Sequence, residues 1–241
     1  MGGTALGAVR HGGFIPWDDD LDIFMTPREY QKFSEVFEKE RGDLYVLQEW
    51  RTCKEYLEYA KVRLNGTTFI EKSQINNKKL HQGIYVDIMI LHKIPMNLFI
   101  QKIIYYESKY VVLYALVKRG WTPKNLRQSI VARLIKCLPN SYIVKMIYKH
   151  IYSYDDLIDQ YLWCYYITKA KFKQGIFEKE IFNKPVDINF EDSILMGPSN
   201  INKYLQIRYG DYMKLPSLEQ QKLDVHAYIY DTEKDYKEYI K

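Results

Sequence analysis

"GFIPWDDDLDIFM", residues 13–25, sets four aspartates, Asp18, Asp19, Asp20 and Asp22, within five positions and walls them in with Ile15, Trp17 and Phe24. Carboxylates ordinarily sit in water, whereas Leu21–Met25 has the composition of a strand with a dry face. On an extended strand, alternation places Asp18, Asp20 and Asp22 on one face and Asp19 with Leu21 on the other. Two carboxylates ~4 Å apart repel by roughly 4 kcal/mol at an effective dielectric near 20. A strand that groups three of them therefore requires a cation. Hard oxygen ligands converging on one point suit Mg2+ or Mn2+, which bridge in turn to phosphate oxygens. The plainer alternative is a solvated acidic turn capping a hairpin. Pro16-Trp17 ahead of the run and the apolar strand behind it argue against that.

Outward from this stretch, the pattern predicts a helix from about Pro27, with Thr26 as its cap, Glu29 in the first turn and Tyr30, Phe33, Val36 and Phe37 as its inward stripe. Upstream, "GGTALGAVRHGG" places Gly2, Gly3 and Gly7 around Thr4 and predicts a helix starting within Gly3–Val9. Amide groups at a helix start present partial positive charge to a phosphate, so this turn reads as a phosphate cradle facing the carboxylates. Downstream, "GIYVDIMIL" (83–91) carries Asp87 inside an apolar run. A carboxylate in a central strand is costly unless paired or bound to metal; the alternative is an edge strand turned to solvent. Further strands are predicted at Tyr45–Gln48, Ala60–Leu64, Thr68–Ile70 and Ile84–Leu91. Strands interspersed with helices give an α/β or α+β sheet domain, and carboxylates on neighbouring strands beside a glycine turn are the layout of metal-assisted phosphoryl transfer.

The 241 residues fit one domain or one domain with a sizeable insert. Cys53, Cys137 and Cys164 form no CxxC pair and support neither a disulfide framework nor a zinc site. No signal-peptide pattern follows Met1, and Leu6 breaks the myristoylation pattern, so a reducing, cytoplasmic setting is expected. From Lys93 to His150 eleven Lys/Arg face one acidic residue, Glu107, a net charge of +10 that leaves −5 for the rest. Residues 96–170 are expected to be helical and basic, broken at Pro139-Asn140-Ser141; the longest apolar run, Tyr110–Val117, is too short to span a bilayer. Three parts follow: a catalytic core over 1–95, a basic helical insert over 96–170, and a return to the core fold over 171–241, with turns at Gly197-Pro198 and Tyr209-Gly210-Asp211. The basic segment suits either a solvated helical subdomain or peripheral contact with the inner face of the plasma membrane; without a recognised binding module, nucleic acid is not expected.

The run "GGTALGAVRHGGFIPWDDDLDIFM" resembles the hallmark segment of the LicD family, to which fukutin and fukutin-related protein are related. "YAKVRLNGTTFIE" (59–71), "HQGIYVDIMIL" (81–91) and "YLQIRYGDYMKLP" (204–216), with His226 following, match in the same order. The resemblance implies an α+β fold with a nucleotidyltransferase-like mixed sheet flanked by helices. It implies transfer of phosphocholine, or a similar substituted phosphate, from a CDP-alcohol donor to a hydroxyl of a cell-surface glycan or glycolipid, with Mg2+ or Mn2+ as cofactor. Lipopolysaccharide, teichoic acid or capsule would be the acceptor. A nucleotidyltransferase releasing pyrophosphate, and a non-catalytic glycan- or membrane-binding relative, stay open as alternatives. By position, Asp20 and Asp22 would be metal ligands with Asp87 the third carboxylate, Asp18 supporting, and Asp87 the choice for the acceptor's proton. Gly3 and Thr4, with Gly7 in the same turn, would meet the donor's phosphates. Lys61 and Arg63 are candidates to clamp phosphate, and Arg10 and His11 to assist or simply to end a helix. Tyr209, Gly210 and Asp211 would close over the site, and Trp17 or a tyrosine would hold a quaternary ammonium. Relatives carry a helix and a strand ahead of the glycine motif, so the resemblance also implies an exposed sheet edge beside that turn.

Overall fold

A computed structural model describes residues 1–49, 59–72, 74–75, 80–118, 123, 125–138, 140–166, 170–223 and 225–240. The chain opens with α1 (Gly2–His11), β1 (Asp22–Met25), α2 (Pro27–Glu40), β2 (Tyr45–Gln48), β3 (Ala60–Leu64), β4 (Thr68–Glu71), β5 (Tyr85–Ile90) and β6 (His92–Pro95). Three helices follow, α3 (Leu98–Lys118), α4 (Leu126–Cys137) and α5 (Asn140–Tyr152). The remainder is β7 (Tyr161–Cys164), β8 (Ile176–Glu178), β9 (Val186–Phe190), β10 (Ser193–Gly197), α6 (Ile201–Tyr209), α7 (Leu218–Leu223) and β11 (Ala227–Asp231). The fold is α+β.

The principal sheet runs β1-β5-β3-β2, with β1 parallel to β5 and the other pairs antiparallel. Alternation along β1 and β5 gives this sheet two faces. Ile23, Met25, Ile88 and Ile90 pack against Tyr30, Phe33 and Phe37 of α2. Phe24, Met89 and Leu91 face the opposite way, into a core shared with Ala5 and Leu6 of α1 and Tyr204 and Leu205 of α6. Helix α2 starts where expected: Thr26 Oγ1 accepts from Glu29 N–H and the Glu29 carboxylate accepts from Thr26 N–H at 2.7 Å, a capping box with Pro27 in the first turn. Val36 departs from the expected stripe and lies exposed.

The strand expected over Leu21–Met25 begins at Asp22. Residues 18–21 form an extended segment after a turn at Pro16-Trp17, tied to the sheet by Asp87 N–H donating to Leu21 C=O at 2.9 Å. The run expected at Ile84–Leu91 is β5, and β6 follows after one residue. Helical structure in the basic segment ends at Tyr152 rather than continuing to 170. The next ordered element is β7, in a sheet of order β6-β7-β8, because Tyr161–Cys164 pairs antiparallel with His92–Pro95. The break between α4 and α5 falls where it was expected, although Pro139 and Cys53 lie outside the described residues. Among the described residues no helix is long and apolar enough to cross a membrane.

Candidate active site

Strand register builds the site. In the parallel β1/β5 pair Asp22 sits beside Asp87, and in the antiparallel β3/β5 pair Asp87 sits beside Lys61. Three charged residues thus form a row across three strands, on the face that holds Phe24 and Met89. Asp20, two residues before Asp22, turns to the same side. Oxygens from Asp20, Asp22 and Asp87 lie within 4.8 Å of one another, and among the described residues this is the one such group.

Burial raises the carboxyl pKa of all three. Asp22 is pushed up to about 7, first by burial and then by Asp20 and Asp87. Asp20 and Asp87 are also raised, chiefly by burial, against the pull of neighbouring cations. Lys61 offsets part of this charge. Its ammonium lies 2.6 Å from Asp87 Oδ1, with both side chains almost fully buried, and sits 3.4 Å over the Tyr85 ring. A buried pair of this kind is held together because the desolvated partner left alone costs more than the pair. One lysine against three carboxylates leaves the cluster negative. The donor set fits a hard divalent cation, which takes carboxylate oxygens at ~2.1 Å, so that ligands gathered on one ion lie within about 4.2 Å of one another.

Asp19 is outside the cleft lining and is held by protein. Its carboxylate accepts from His226 N–H at 2.9 Å, Ala227 N–H at 2.8 Å and the His226 ring at 3.1 Å. His226 Nδ1 is also 3.8 Å from Asp20. Burial opposes charging of this ring, but Asp20 and Asp19 outweigh it and raise its pKa. The sequence quoted His226 only as a follower of a motif. Its pairing with a residue 207 positions away has no local signal.

A cleft of about 720 Å³ opens over the cluster, lined by Asp18, Asp20, Asp22, Gly3, Arg10, Trp17, Tyr209, Asp211, Tyr212, Lys214, Gln220 and His226, among others. Arg10, Lys214 and His226 thus face the carboxylates from the rim. Gly3 is required here by close approach, since a Cβ at that position would lie 2.0 Å from an Asp18 oxygen. Arg10, in the last turn of α1, donates to Tyr212 C=O at 2.9 Å and lies 5.9 Å over the Trp17 ring. The face of Trp17 expected for a ligand cation is therefore shared with a protein cation. Tyr209 and Asp211 reach the cleft. Gly210 does not: with φ +73° it ends α6 and turns the chain between them.

Several expected phosphate contacts sit elsewhere. Thr4 is buried, and its hydroxyl accepts from Asp22 N–H at 2.8 Å, joining α1 to β1 instead of facing the cleft. Gly7 lets α1 pack on the following loop, because a Cβ would meet Gly13 C=O at 2.3 Å. His11 stands edge-on to Trp17 at 5.8 Å, outside the cleft lining. Lys61 and Arg63 are buried, not solvated. Arg63 donates to Gln48 Oε1 at 2.9 Å and Gly83 C=O at 2.8 Å and stacks on Tyr85. Asp87 is only 3% exposed and, tied to Lys61, is absent from the lining that an acceptor would meet.

The mixed sheet thus gathers three carboxylates beneath a cleft whose rim carries Arg10, Lys214 and His226. Residues 1–118 match the family described as LicD/FKTN/FKRP, nucleotidyltransferase domain. It is 29% identical over 233 residues to the lipopolysaccharide cholinephosphotransferase LicD of Haemophilus influenzae, covering 92% of this chain and 83% of that protein. An uncharacterized protein of Rickettsia prowazekii is 31% identical over 111 residues, 45% of this chain and 37% of that one.

Proposed function

We propose that the protein is a phosphotransferase moving phosphocholine, or a closely related substituted phosphate, from a CDP-activated donor to a sugar hydroxyl of lipopolysaccharide, on a nucleotidyltransferase-like sheet and at the cytoplasmic face of the membrane. The observation that carries this reading is the convergence of Asp20, Asp22 and Asp87 beneath a cleft whose other charged residues include Arg10 and Lys214. The likeness to the Haemophilus influenzae cholinephosphotransferase supplies the donor group and acceptor class.

Asp20, Asp22 and Asp87 would hold Mg2+ or Mn2+, which when bound neutralises charge developing on the phosphates in the transition state. Lys61 keeps Asp87 in position beside Asp22. Arg10 and Lys214 bind the anionic donor from the rim and orient its phosphorus toward the acceptor, which converts part of the barrier into binding. Asp18 lines the cleft outside the ligand trio and would take the acceptor hydroxyl's proton, a choice over Asp87 supported by the latter's ion pair with Lys61. Asp19, held by His226 and Ala227, fixes the aspartate segment.

The test is CMP release from CDP-choline, CDP-ribitol and other CDP-alcohols in the presence of a lipopolysaccharide acceptor, with and without Mg2+ or Mn2+. Metal-dependent CMP from one donor, lost in Asp20→Ala/Asp22→Ala, is the expected outcome. Pyrophosphate release from CTP and phosphocholine, with no CMP, would replace this reading with a nucleotidyltransferase.

A further inference from the structure

We propose that α4 lies flat on an anionic lipid bilayer, seating its outward Leu126–Ile130–Leu134 stripe among the acyl chains while its arginines meet the headgroups. This inference is independent of the reaction proposed above.

The helix is amphipathic, yet it presents apolar residues on both sides. Ala132 and Ile135 are buried in the core formed with α3 and α5. On the opposite side, Leu126, Ile130 and Leu134 recur every fourth residue and are 78%, 50% and 61% exposed. Val131 widens the stripe at 40% exposure. Nothing in the described fold covers it. Isolated apolar residues on a surface are ordinary, but a continuous helical stripe marks a contact surface.

Charge selects the occupant. Arg127 and Arg133 flank the stripe, and neither α4 nor α5 contains an acidic residue. The single acid of the surrounding segment, Glu107, is paired with His150 at 2.8 Å. A second copy of this chain would bring two segments of net charge +10 together, which opposes association through this face. An anionic bilayer satisfies both components at once. Basic side chains gain from the negative surface potential, and the apolar stripe enters the interface without the helix needing to span it.

The experiment is flotation of the full chain with phosphatidylcholine vesicles and with vesicles that also contain phosphatidylglycerol. The expected result is at least about tenfold stronger partition onto the anionic vesicles, weakening as salt is raised. Ile130→Ser/Leu134→Ser should lower that partition about tenfold or more with little change in the thermal melt, because both side chains are already at least half exposed. Arg127→Glu/Arg133→Glu should lower it similarly, and decides the matter should the first variant fold poorly. Wild-type protein that ignores anionic vesicles, or variants that float as well as wild type, would overturn the proposal. So would a stable wild-type dimer dissolved by the same substitutions, or retention on nucleic acid without vesicle binding.

Discussion

The row Asp22, Asp87, Lys61 across β1, β5 and β3 and the helices α3 to α5 handle charge in opposite ways. On the sheet, four ionisable side chains (these three and Asp20) are drawn out of water into one spot, each with its pKa displaced toward the neutral form by burial. On the helices, a larger net charge is spread over exposed surface, with Arg127, Arg133, Lys136 and Lys145 all open to water. Charge in water costs little and binds loosely. Charge removed from water must be matched residue by residue, and what remains unmatched defines the ligand. The cleft is specific for that reason, and the helical surface is specific only in sign.

The comparison is broken most severely by removing carboxylates from the buried group. Asp20→Ala/Asp22→Ala should lower metal-dependent CMP release by on the order of 10³- to 10⁴-fold, about 4–5 kcal/mol of transition-state stabilisation. Steady-state assay at saturating metal measures it, and a loss below about tenfold would remove these carboxylates from the chemistry. Next in size, Lys61→Met should destabilise the fold by about 3–5 kcal/mol, since it leaves Asp87 buried without its cation. Urea denaturation should show that Lys61→Met/Asp87→Leu recovers much of this stability while the double variant stays inactive. Recovery of activity would mean the pair is structural alone.

A smaller effect tests whether the same rule holds away from the cleft. His81, beside Asn65 and Gly83, has its pKa lowered to about 4 by burial and by Arg63. The unfolded ring binds its proton near pH 6.5, whereas the folded ring resists until about pH 4. Its contribution to stability is therefore complete above pH 6.5 and lost as pH falls toward 4, by on the order of 1–2 kcal/mol after allowing for partial exposure. Urea titrations across that range should show a shallower decline in His81→Gln than in wild type; parallel curves would refute the assignment. Smallest of all, Ile130→Ser/Leu134→Ser on α4 should move stability by no more than about 0.5 kcal/mol per site, while Ile135→Ala on the buried side should cost about 2–5 kcal/mol. Equal costs on the two sides would mean the stripe is covered.

What was legible in the sequence was whatever has a local cause. Helix α2 declares its start through Thr26, Pro27 and Glu29, and β1 and β5 declare themselves as apolar runs broken by one aspartate. The convergence of Asp20, Asp22 and Asp87 was also foreseeable, because an unpaired carboxylate in an apolar strand demands a partner. Register was not. Alternation put Lys61 and Arg63 on one face of β3, but only the pairing of β3 with β5 shows that this face is dry and that Lys61 meets Asp87. The phosphate contacts expected of Thr4 and Gly7 failed for a related reason. A small residue at a helix start serves close packing as readily as ligand binding, and nothing within the segment decides between them. The partners of Asp19 lie 207 and 208 positions away, where no local pattern announces them.

That last contact carries a consequence for how the protein is made. Asp19 is held by the backbone of His226 and Ala227, and Gly2 N–H donates to the Tyr204 hydroxyl at 3.0 Å. Asp19 leaves the ribosome 207 residues ahead of the backbone that pins it. At ordinary rates of synthesis about 10–40 s separate the two. Through that interval a cluster of carboxylates waits without the donors that fix it, exposed to whatever cations the cell supplies. The clasp on the cleft thus forms only once residues 226 and 227 have been made, and a nascent chain that stalls before them carries the acidic residues without the contact that sets their geometry.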